Sequence, residues 1–444
     1  MNILIQLSHP AHFHLYKNVA HGLIANGHEV LFVIKSKDIL ETLLVDAGLP
    51  YVNINQHAHR GSKLGILWDM IVRDWRLVQL CRKHKIDLLT GSTPEVAQVG
   101  WLLRKRVVNT TEDDAAVIGA VVKAMQPFMK CLVTPVSCNM GALESRTIHY
   151  PGYHELAYLH PNHFTPSADV VRGYGIDVDQ PYFVMRFASL NAHHDSGIKG
   201  INTDIAQRLI PILEGSSLDH FESSNPTAPS QLVPFSTNSP SSNSTKGTSL
   251  APSEACSLSP SACSPSGDSP SQLVPLANNS TDNSTSGYKP RIYITSERPL
   301  EPQFEKYRIK INPLDMHHVM AFASLYIGDS QTMAAEAGVL GVPFVRFNDF
   351  VGRIGYLREL EDKYELGYGI KASAEGSVDA LCERVETLVS MPSAERKATF
   401  AARREKMLSD KIDCAKFLTY FIENYPNSAT EVKNATPDFW TQFK

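Results

Sequence analysis

The sequence predicts an α/β protein with two doubly wound domains, each a parallel sheet covered by helices on both faces. Three observations lead to this fold class. The chain has 444 residues, which is longer than a single domain with one hydrophobic core usually is. Short apolar runs alternate with stretches of helical periodicity along most of its length, as in α/β proteins. One segment, 216–289, interrupts this alternation because Ser, Pro, Asn and Thr dominate it.

The beginning of the chain shows the repeating unit most clearly. Residues 2–7 predict a buried strand, residues 15–24 carry apolar side chains at helical spacing, and residues 29–34 predict a second strand. Gly27 stands where a helix end favours a residue with positive φ. Parallel strands joined by a helix bind ligands at their carboxyl ends. The loop that we predict at 8–14, which contains three histidines, therefore faces a ligand site.

The same alternation continues on both sides of the unusual segment. We predict further strands at 86–89, 107–110, 131–134, 182–187, 291–295, 325–327 and 343–347, and helices at 115–125, 204–213, 333–339 and 412–423. Glycines, a proline and acidic residues cluster at 173–181, which is typical of a domain linker. We therefore expect Rossmann-like domains at 1–175 and 176–425, followed by a C-terminal tail at 426–444.

Segment 216–289 is predicted to be a disordered insertion between a helix and a strand of the second domain. Its composition cannot bury enough apolar surface to offset the entropy lost on ordering. The string Pro-Ser-Gln-Leu-Val-Pro occurs at 229–234 and again at 270–275, which indicates a local duplication. A tolerated surface insertion is the interpretation that we favour, and an arm that docks a partner is the alternative.

Composition and charge exclude several classes of protein. The 42 basic and 46 acidic residues give a net charge of -4, which argues against a nucleic-acid partner. There is no apolar run of about 18 residues that would span a membrane, and the N-terminus does not resemble a signal peptide. The seven cysteines are scattered without a Cys-x-x-Cys pair, which is typical of reduced thiols. We expect a cytoplasmic protein.

The second domain contains the best-defined candidate site. Gly328 ends a predicted strand, Ser330 and Thr332 open the following helix, and Glu336 lies one turn further along it. Such a junction directs backbone N–H groups and the positive end of the helix dipole at an anion such as a phosphate. A carboxylate at the position of Glu336 suits a ribose diol, which offers two donors. A helix simply capped by Ser330 is the alternative.

A second polar junction follows the predicted strand at 182–187. Ser189, Asn191 and His193 lie in this loop, which faces the interdomain cleft in two-domain α/β proteins. We predict that they contact the diphosphate of a nucleotide donor. A solvated loop with surface histidines is the alternative.

Candidate acid/base groups lie in the first domain. Asp113 belongs to an acidic run after a predicted strand and is a candidate base. The same run could instead bind a metal or, as the default interpretation, cap the helix at 115–125. His9 and His12 are candidate acid/base groups because the pKa of histidine lies near neutrality. His12 is our first choice for the base. A zinc site is disfavoured, because His12 and His14 have no third ligand at a diagnostic spacing.

Taken together, these motifs resemble the predicted glycosyltransferases of domain-of-unknown-function family 354, which have GT-B architecture. The resemblance rests on HPAHFH at 9–14, GHEV at 27–30, GYHELAYLHP at 152–161, RF at 186–187, NAHHD at 191–195 and the stretch from GDS at 328–330 to Pro343. The chain is more distantly similar to the transferase that adds N-acetylglucosamine to lipid-linked muramyl peptide. It is also similar to the non-hydrolysing UDP-N-acetylglucosamine 2-epimerases.

This resemblance implies a glycosyltransferase whose two domains face a cleft, with the acceptor on the first and the nucleotide sugar on the second. His12, His9 or Asp113 would deprotonate the acceptor hydroxyl. The donor would be a UDP-linked sugar, with no other cofactor and no metal. The acceptor would be a glycan or a lipid-linked sugar in surface polysaccharide or glycoconjugate synthesis, which leaves peripheral contact with the inner membrane face open. A sugar-nucleotide 2-epimerase and a non-catalytic nucleotide-sugar-binding protein are the alternatives.

Overall fold

A computed structural model of the protein describes residues 1–35, 39–54, 63–187, 200–215 and 291–444. In these residues the chain forms two parallel sheets, each with helices on both faces, as predicted. The predicted insertion at 216–289 and the loop residues Ser189, Asn191 and His193 lie outside the described residues. The described chain stops at the end of a helix before the insertion and resumes at a strand after it, where the sequence predicted this connection.

The first sheet has seven strands in the order β3-β2-β1-β4-β5-β6-β7. The strands are β1 (Asn2–Gln6), β2 (Glu29–Ile34), β3 (Tyr51–Asn53), β4 (Leu88–Gly91), β5 (Arg106–Thr110), β6 (Leu132–Pro135) and β7 (Thr147–Tyr150). The helices are α1 (Pro10–Ala25), α2 (Ile39–Asp46), α3 (Lys63–Lys83), α4 (Pro94–Leu102), α5 (Gly119–Met125) and α6 (Ala168–Gly173). The strand order reverses direction between β1 and β4, and ligands bind at such a point in doubly wound sheets.

The second sheet has five strands in the order β12-β11-β10-β8-β9. The strands are β8 (Phe183–Phe187), β9 (Ile292–Ser296), β10 (Leu325–Gly328), β11 (Phe344–Phe347) and β12 (Gly367–Ile370). The helices are α7 (Thr203–Gly215), α8 (Met316–Phe322), α9 (Gln331–Leu340), α10 (Gly355–Arg358), α11 (Ser377–Ser390), α12 (Ser393–Asp410), α13 (Cys414–Glu423) and α14 (Asn427–Lys433). The reversal here lies between β8 and β10, beside the predicted nucleotide junction.

Both faces of the first sheet are buried, which explains why its strands are continuously apolar. On one face, Ile3 and Ile5 of β1 pack with Leu15 and Val19 of α1. On the other face, Leu4 of β1 packs with residues of α3 and α4. The alternation of β1 side chains between two hydrophobic clusters follows from the period of two along a strand.

The last part of the chain returns to the first domain. Helix α13 packs along α1, and the contact is close at Gly22, where a Cβ atom would lie 2.8 Å from Oγ1 of Thr419. After α14, residues Pro437–Phe443 form a 3₁₀ turn, and Phe443 packs against Phe417 of α13. The region predicted as a C-terminal tail is thus folded against the last long helix.

The histidine-rich stretch differs from the prediction. Residues 8–14 are not a loop, because α1 begins at Pro10 and already contains His12 and His14. Proline suits the first helical position, where its missing N–H would have no intrahelical partner. The ring of His9 accepts a hydrogen bond from the backbone N–H of Ala11 and thereby caps the helix. The histidines are therefore held on the first turns of a helix.

Candidate active site between the two domains

The junction of β10 and α9 has the predicted form. Gly328 ends the strand, and a Cβ atom there would lie 2.3 Å from the Oη of Tyr326, so close packing requires a glycine. The Oγ of Ser330 accepts a hydrogen bond from the N–H of Met333 at 3.4 Å, so the residue does cap the helix. Thr332 lies half-buried in the first turn. The positive end of α9 therefore points out of the carboxyl edge of the second sheet.

Glu336 is buried on α9 and contacts two residues that sequence reasoning did not assign to the site. Its Oε1 accepts a hydrogen bond from the Oη of Tyr158 at 2.9 Å and lies 3.0 Å from Nε2 of His317. Burial alone would raise the pKa of Glu336, but His317, His14 and Tyr158 together hold this pKa below its usual range. The carboxylate is thus kept ionised and fixed in orientation.

A cavity of about 260 Å³ lies beside Tyr158 and His317, the two residues that contact this carboxylate. Both domains line it, with His14, Lys17, Tyr158, His163, Phe164, Thr165, Leu314, His317 and His318. The ring of His14 lies 4.9 Å from that of His317 and 5.2 Å from that of Tyr158, between centroids. Burial, then the charge of His317, lowers the pKa of His14 to about 3. The His14 side chain is therefore uncharged near pH 7 and lines the cavity.

The two other histidines of the α1 start lie at the carboxyl edge of the first sheet. His9 is exposed to solvent, yet the protein around it lowers its pKa by desolvation, opposed by the charges of Glu297 and Glu336. Those two carboxylates belong to the second domain, so His9 faces the cleft. Burial lowers the pKa of His12 to about 3, with help from His9, His154 and Lys35. A neutral imidazole with so low a pKa is a weak proton acceptor.

The acidic run after β5 contains three carboxyl groups with different surroundings. Glu112 accepts a hydrogen bond from the N–H of His154 at 3.2 Å. Burial, then the charges of Glu155 and Asp113, raises the pKa of Glu112 well above its usual value. Burial and the neighbouring Asp114 raise the pKa of Asp113 to about 6. Asp113 is therefore half-ionised near pH 6 and mostly ionised at pH 7.

Asp114 differs from these two residues, because both of its carboxylate oxygens accept hydrogen bonds from backbone N–H groups. Its Oδ1 accepts from the N–H of Asn139 at 2.9 Å, and its Oδ2 accepts from the N–H of Gly355 in the second domain at 2.6 Å. Helix α5 begins only at Gly119 and has no side-chain cap. The alternative in which the acidic run caps a helix at 115–125 is therefore wrong, because these carboxyl groups face the cleft and its rim.

Glu155 is a further buried carboxyl group that sequence reasoning missed. It is fully inaccessible to solvent, and neither side-chain oxygen bonds to another described residue. Burial, with the charges of Glu336 and Asp113 adding to it, raises the pKa of Glu155 to about 8. Glu155 and Tyr158 belong to the string at 152–161 on which the family resemblance partly rests. That resemblance identified the segment but gave no role to either residue.

Hydrogen bonds join the two domains around this site. The Oη of Tyr153 donates to Glu359 at 2.8 Å, next to the Asp114–Gly355 and Tyr158–Glu336 contacts. In the part of the chain that the structure describes, no group of three His, Cys, Asp or Glu side chains is arranged to hold a metal ion. The site thus combines a preoriented carboxylate, an aromatic cavity and several carboxyl groups with raised pKa values.

Neither a family model nor a curated protein matches the sequence, but solved structures do. The spinosyn forosaminyltransferase SpnP is similar over 96% of this chain and 100% of its own, with a TM-score of 0.54 and 13% identity. The S. aureus MnaA bound to UDP is similar over 97% and 98%, with a TM-score of 0.56 and 9% identity. A Listeria monocytogenes protein assigned as a UDP-N-acetylglucosamine 2-epimerase is similar over 97% and 96%, with a TM-score of 0.53 and 8% identity. At such low identities the similarity establishes the fold, which is the two-domain GT-B architecture.

Proposed function

We propose that the protein is a glycosyltransferase that moves a sugar from a nucleotide-sugar donor to an acceptor hydroxyl. The observation that carries this proposal is the Glu336 carboxylate, whose partners Tyr158 and His317 line a cavity between the two domains. The contacts of this carboxylate with Tyr158 and His317 both use Oε1, so Oε2 is the oxygen that we assign to a ribose diol. Because the carboxylate is already oriented, little ordering is left to be done when the donor binds.

The cavity supports a nucleoside as its occupant. Its volume of about 260 Å³ lies near the lower end of the range for small-molecule sites. The rings of Tyr158, Phe164 and His317 offer apolar faces to a base. We propose a UDP-linked donor whose diphosphate lies at the start of α9, near Ser330 and Thr332 and behind Gly328. Ser189, Asn191 and His193 stay proposed diphosphate contacts.

We propose that Asp113 takes the proton from the acceptor hydroxyl. The acceptor oxygen attacks the anomeric carbon, the bond from that carbon to the diphosphate oxygen breaks, and the diphosphate leaves with its electron pair. A base with a pKa of about 6 matches a neutral working pH better than His12, whose pKa of about 3 makes it a poor acceptor. His9 stays a candidate at the cleft edge. The positive end of α9 stabilises the leaving diphosphate, so we expect activity without a metal.

A thermal-shift screen against nucleotides and nucleotide sugars tests the donor site. A ligand that binds only the native state raises the unfolding temperature by mass action. We expect UDP and a UDP-sugar to raise it in the wild type and not in Glu336→Gln. Retention of label from a UDP-sugar on a glycan or lipid-linked acceptor would then establish transfer. Absence of a shift with every nucleotide would overturn the proposal.

Epimerisation of the sugar is a second candidate, which one specific observation favours. Glu112 and Glu155 are buried carboxyl groups with raised pKa values, and exchange of a carbon-bound proton needs groups that can donate as well as accept protons. Incubation of a UDP-sugar in deuterated buffer without an acceptor distinguishes the two reactions. Deuterium at C2 of the sugar would indicate an epimerase, whereas its absence together with acceptor-dependent transfer would support the glycosyltransferase. A thermal shift without either turnover would indicate a binding protein.

A further inference from the structure

Helix α3 carries an exposed apolar stripe that the proposed reaction does not use. Trp68, Ile71 and Trp75 are 54%, 53% and 57% exposed, and their spacing of three and four places them on one side of the helix. We call these three residues the α3 stripe. Leu77, which is nine residues from Trp68 and therefore on the opposite side of α3, is buried in the core under the first sheet. The stripe therefore contributes nothing to the core that holds the helix in place.

Cations follow the α3 stripe along the same helix. Arg82 continues the stripe two turns beyond Trp75, Lys83 ends the helix beside it, and Lys85 lies in the turn that follows. All three are exposed. This concentration of positive charge stands out because the whole chain has a net charge of -4. An exposed face with indole rings and neighbouring cations is the pattern of a surface that inserts into the interface of an anionic membrane.

The size of the α3 stripe favours lipid over a protein partner. Its three side chains, each about half exposed, present on the order of 400 Å² of apolar surface. A stable protein interface buries about 800 Å² on each partner, and this surface is a narrow ridge on one helix. A bilayer needs no complementary shape, since its headgroup region accepts single indole rings. In the described residues, no helix is long and apolar enough to cross a membrane, so the contact is with the surface.

We propose that the α3 stripe docks the protein on the surface of an anionic lipid bilayer, with Arg82, Lys83 and Lys85 contacting the headgroups. Trp68 lies five residues into α3, within about 8 Å along the helix axis of its start. That start is at the carboxyl edge of the first sheet, where His9 and Asp113 lie. Docking therefore holds the protein in an orientation in which the bilayer lies beside the cleft mouth. If the proposed function holds, this orientation suits an acceptor hydroxyl on a lipid carrier.

Co-sedimentation of the full chain with vesicles tests the docking without any substrate. We compare vesicles of phosphatidylcholine with vesicles that also contain phosphatidylglycerol. The wild type should bind the anionic vesicles at least about tenfold more tightly, because each cation near an anionic surface contributes about fivefold in affinity. High salt should release it, since the Debye length falls to about 3 Å at 1 M. Indole fluorescence should shift to the blue on binding.

Two variants and two matched controls make the result specific. One variant combines Trp68→Ala with Trp75→Ala, and the other combines Arg82→Glu with Lys83→Glu. Each variant should weaken vesicle binding at least about tenfold. The first control is Ile39→Ala with Val45→Ala, which are exposed apolar residues of α2 on the other side of the sheet. The second is Lys397→Glu with Lys406→Glu, which are exposed cations of α12. Both controls should bind as the wild type does.

The outcomes separate lipid docking from its competitors. If the wild type does not bind anionic vesicles, or if both variants bind them unchanged, the proposal is overturned. Self-association that the tryptophan substitutions abolish, without vesicle binding, would also overturn it and identify a protein interface. Retained thermal shifts with nucleotide would show that the variants are folded. Because vesicle binding needs no donor, its failure is distinct from a failure of the proposed glycosyl transfer.

Discussion

The carboxyl edges of the two sheets meet across one cleft, yet their charged groups are held in opposite ways. On the second sheet, Glu336 has hydrogen-bond partners and a pKa below its usual range. On the first sheet and the segment that follows it, Glu112, Asp113 and Glu155 all have raised pKa values. Burial acts on both groups, so the difference comes from the partners.

This difference separates holding a ligand from moving a proton. A carboxylate that hydrogen bonds keep ionised can accept bonds from a ligand without reorganising. Buried carboxyl groups whose partners do not offset the cost of burial have raised pKa values, so they can hold and release protons nearer neutral pH. We therefore propose that the second domain binds the donor and that the first carries out the acid/base chemistry. The four predictions below test that division, from the largest expected effect to the smallest.

Replacing the proposed base should have the largest effect. Asp113→Asn should lower kcat by about 10²- to 10⁴-fold, the usual contribution of a general base, with the donor KM unchanged. The ionised form of Asp113 is the active one, so wild-type kcat/KM should rise with pH through about 6. This limb should disappear in the variant. Steady-state kinetics between pH 5 and pH 8 measure both effects, and a variant with the wild-type profile would exclude Asp113.

Removing the charge of Glu336, in the proposed donor site, should change the affinity for the donor. Glu336→Gln should weaken nucleotide-sugar binding by about 10- to 100-fold, because hydrogen bonds to a charged group are worth about 1.5 to 3 kcal/mol. Tyr158→Phe, which removes one of the two contacts that orient the carboxylate, should have a smaller effect. Titration calorimetry with the UDP-sugar measures both. Equal binding by Glu336→Gln and the wild type would show that the donor lies elsewhere.

The contact between Asp114 of the first domain and Gly355 of the second can be broken by substituting this glycine. A Cβ atom on Gly355 would lie 1.9 Å from the backbone oxygen of Ser137, so Gly355→Ala must push α10 away from Asp114. We expect about 1 to 3 kcal/mol of lost stability, as for other overpacked sites, together with lower kcat. Gly119→Ala is the matched control, because no atom lies within 4 Å of the added Cβ there. Urea unfolding measures the loss, and equal stabilities would contradict the rigid contact.

The pH dependence of stability tests the buried carboxyl group at Glu155. Its pKa is about 8 in the folded protein against 4.5 for the free side chain, so the folded state binds the extra proton. Stability from this group is full below pH 4.5 and is lost as the pH rises to about 8. Glu155→Gln, which cannot ionise, should gain at least about 1 kcal/mol over the wild type at pH 9 and nothing near pH 4.5. A constant difference across this range would contradict the raised pKa.

Most of the fold could be predicted because strand and helix patterns are local. Residues 29–34 and 325–327 read as buried strands and are β2 and part of β10. Three strands were missed, β3, β7 and β12, which are only three or four residues long. Other strands of four residues were predicted, but these three lie at the edges of their sheets and lack a continuous apolar run. In β12, two glycines weaken the strand pattern further.

The candidate site was predicted only where its residues are neighbours in the sequence. Ser330 and Glu336 lie at the end of one strand and in the helix that follows it, so their spacing could be recognised in the sequence. Tyr158 and His317 reach Glu336 by packing of distant segments, separated from it by 178 and 19 residues. The pKa values of Asp113 and His12 depend on burial by both domains, which no local pattern contains.

The return of α13 to the first domain limits how this chain can be recombined with others. A chimera that replaces the donor-binding half by cutting once near 176 would leave α1 without α13, and Gly22 without the close contact of Thr419. It would also leave Tyr158, which orients Glu336, on the other parent. Exchange of donor specificity therefore needs a second crossover before α13, with the segment at 152–165 moved together with the new donor half.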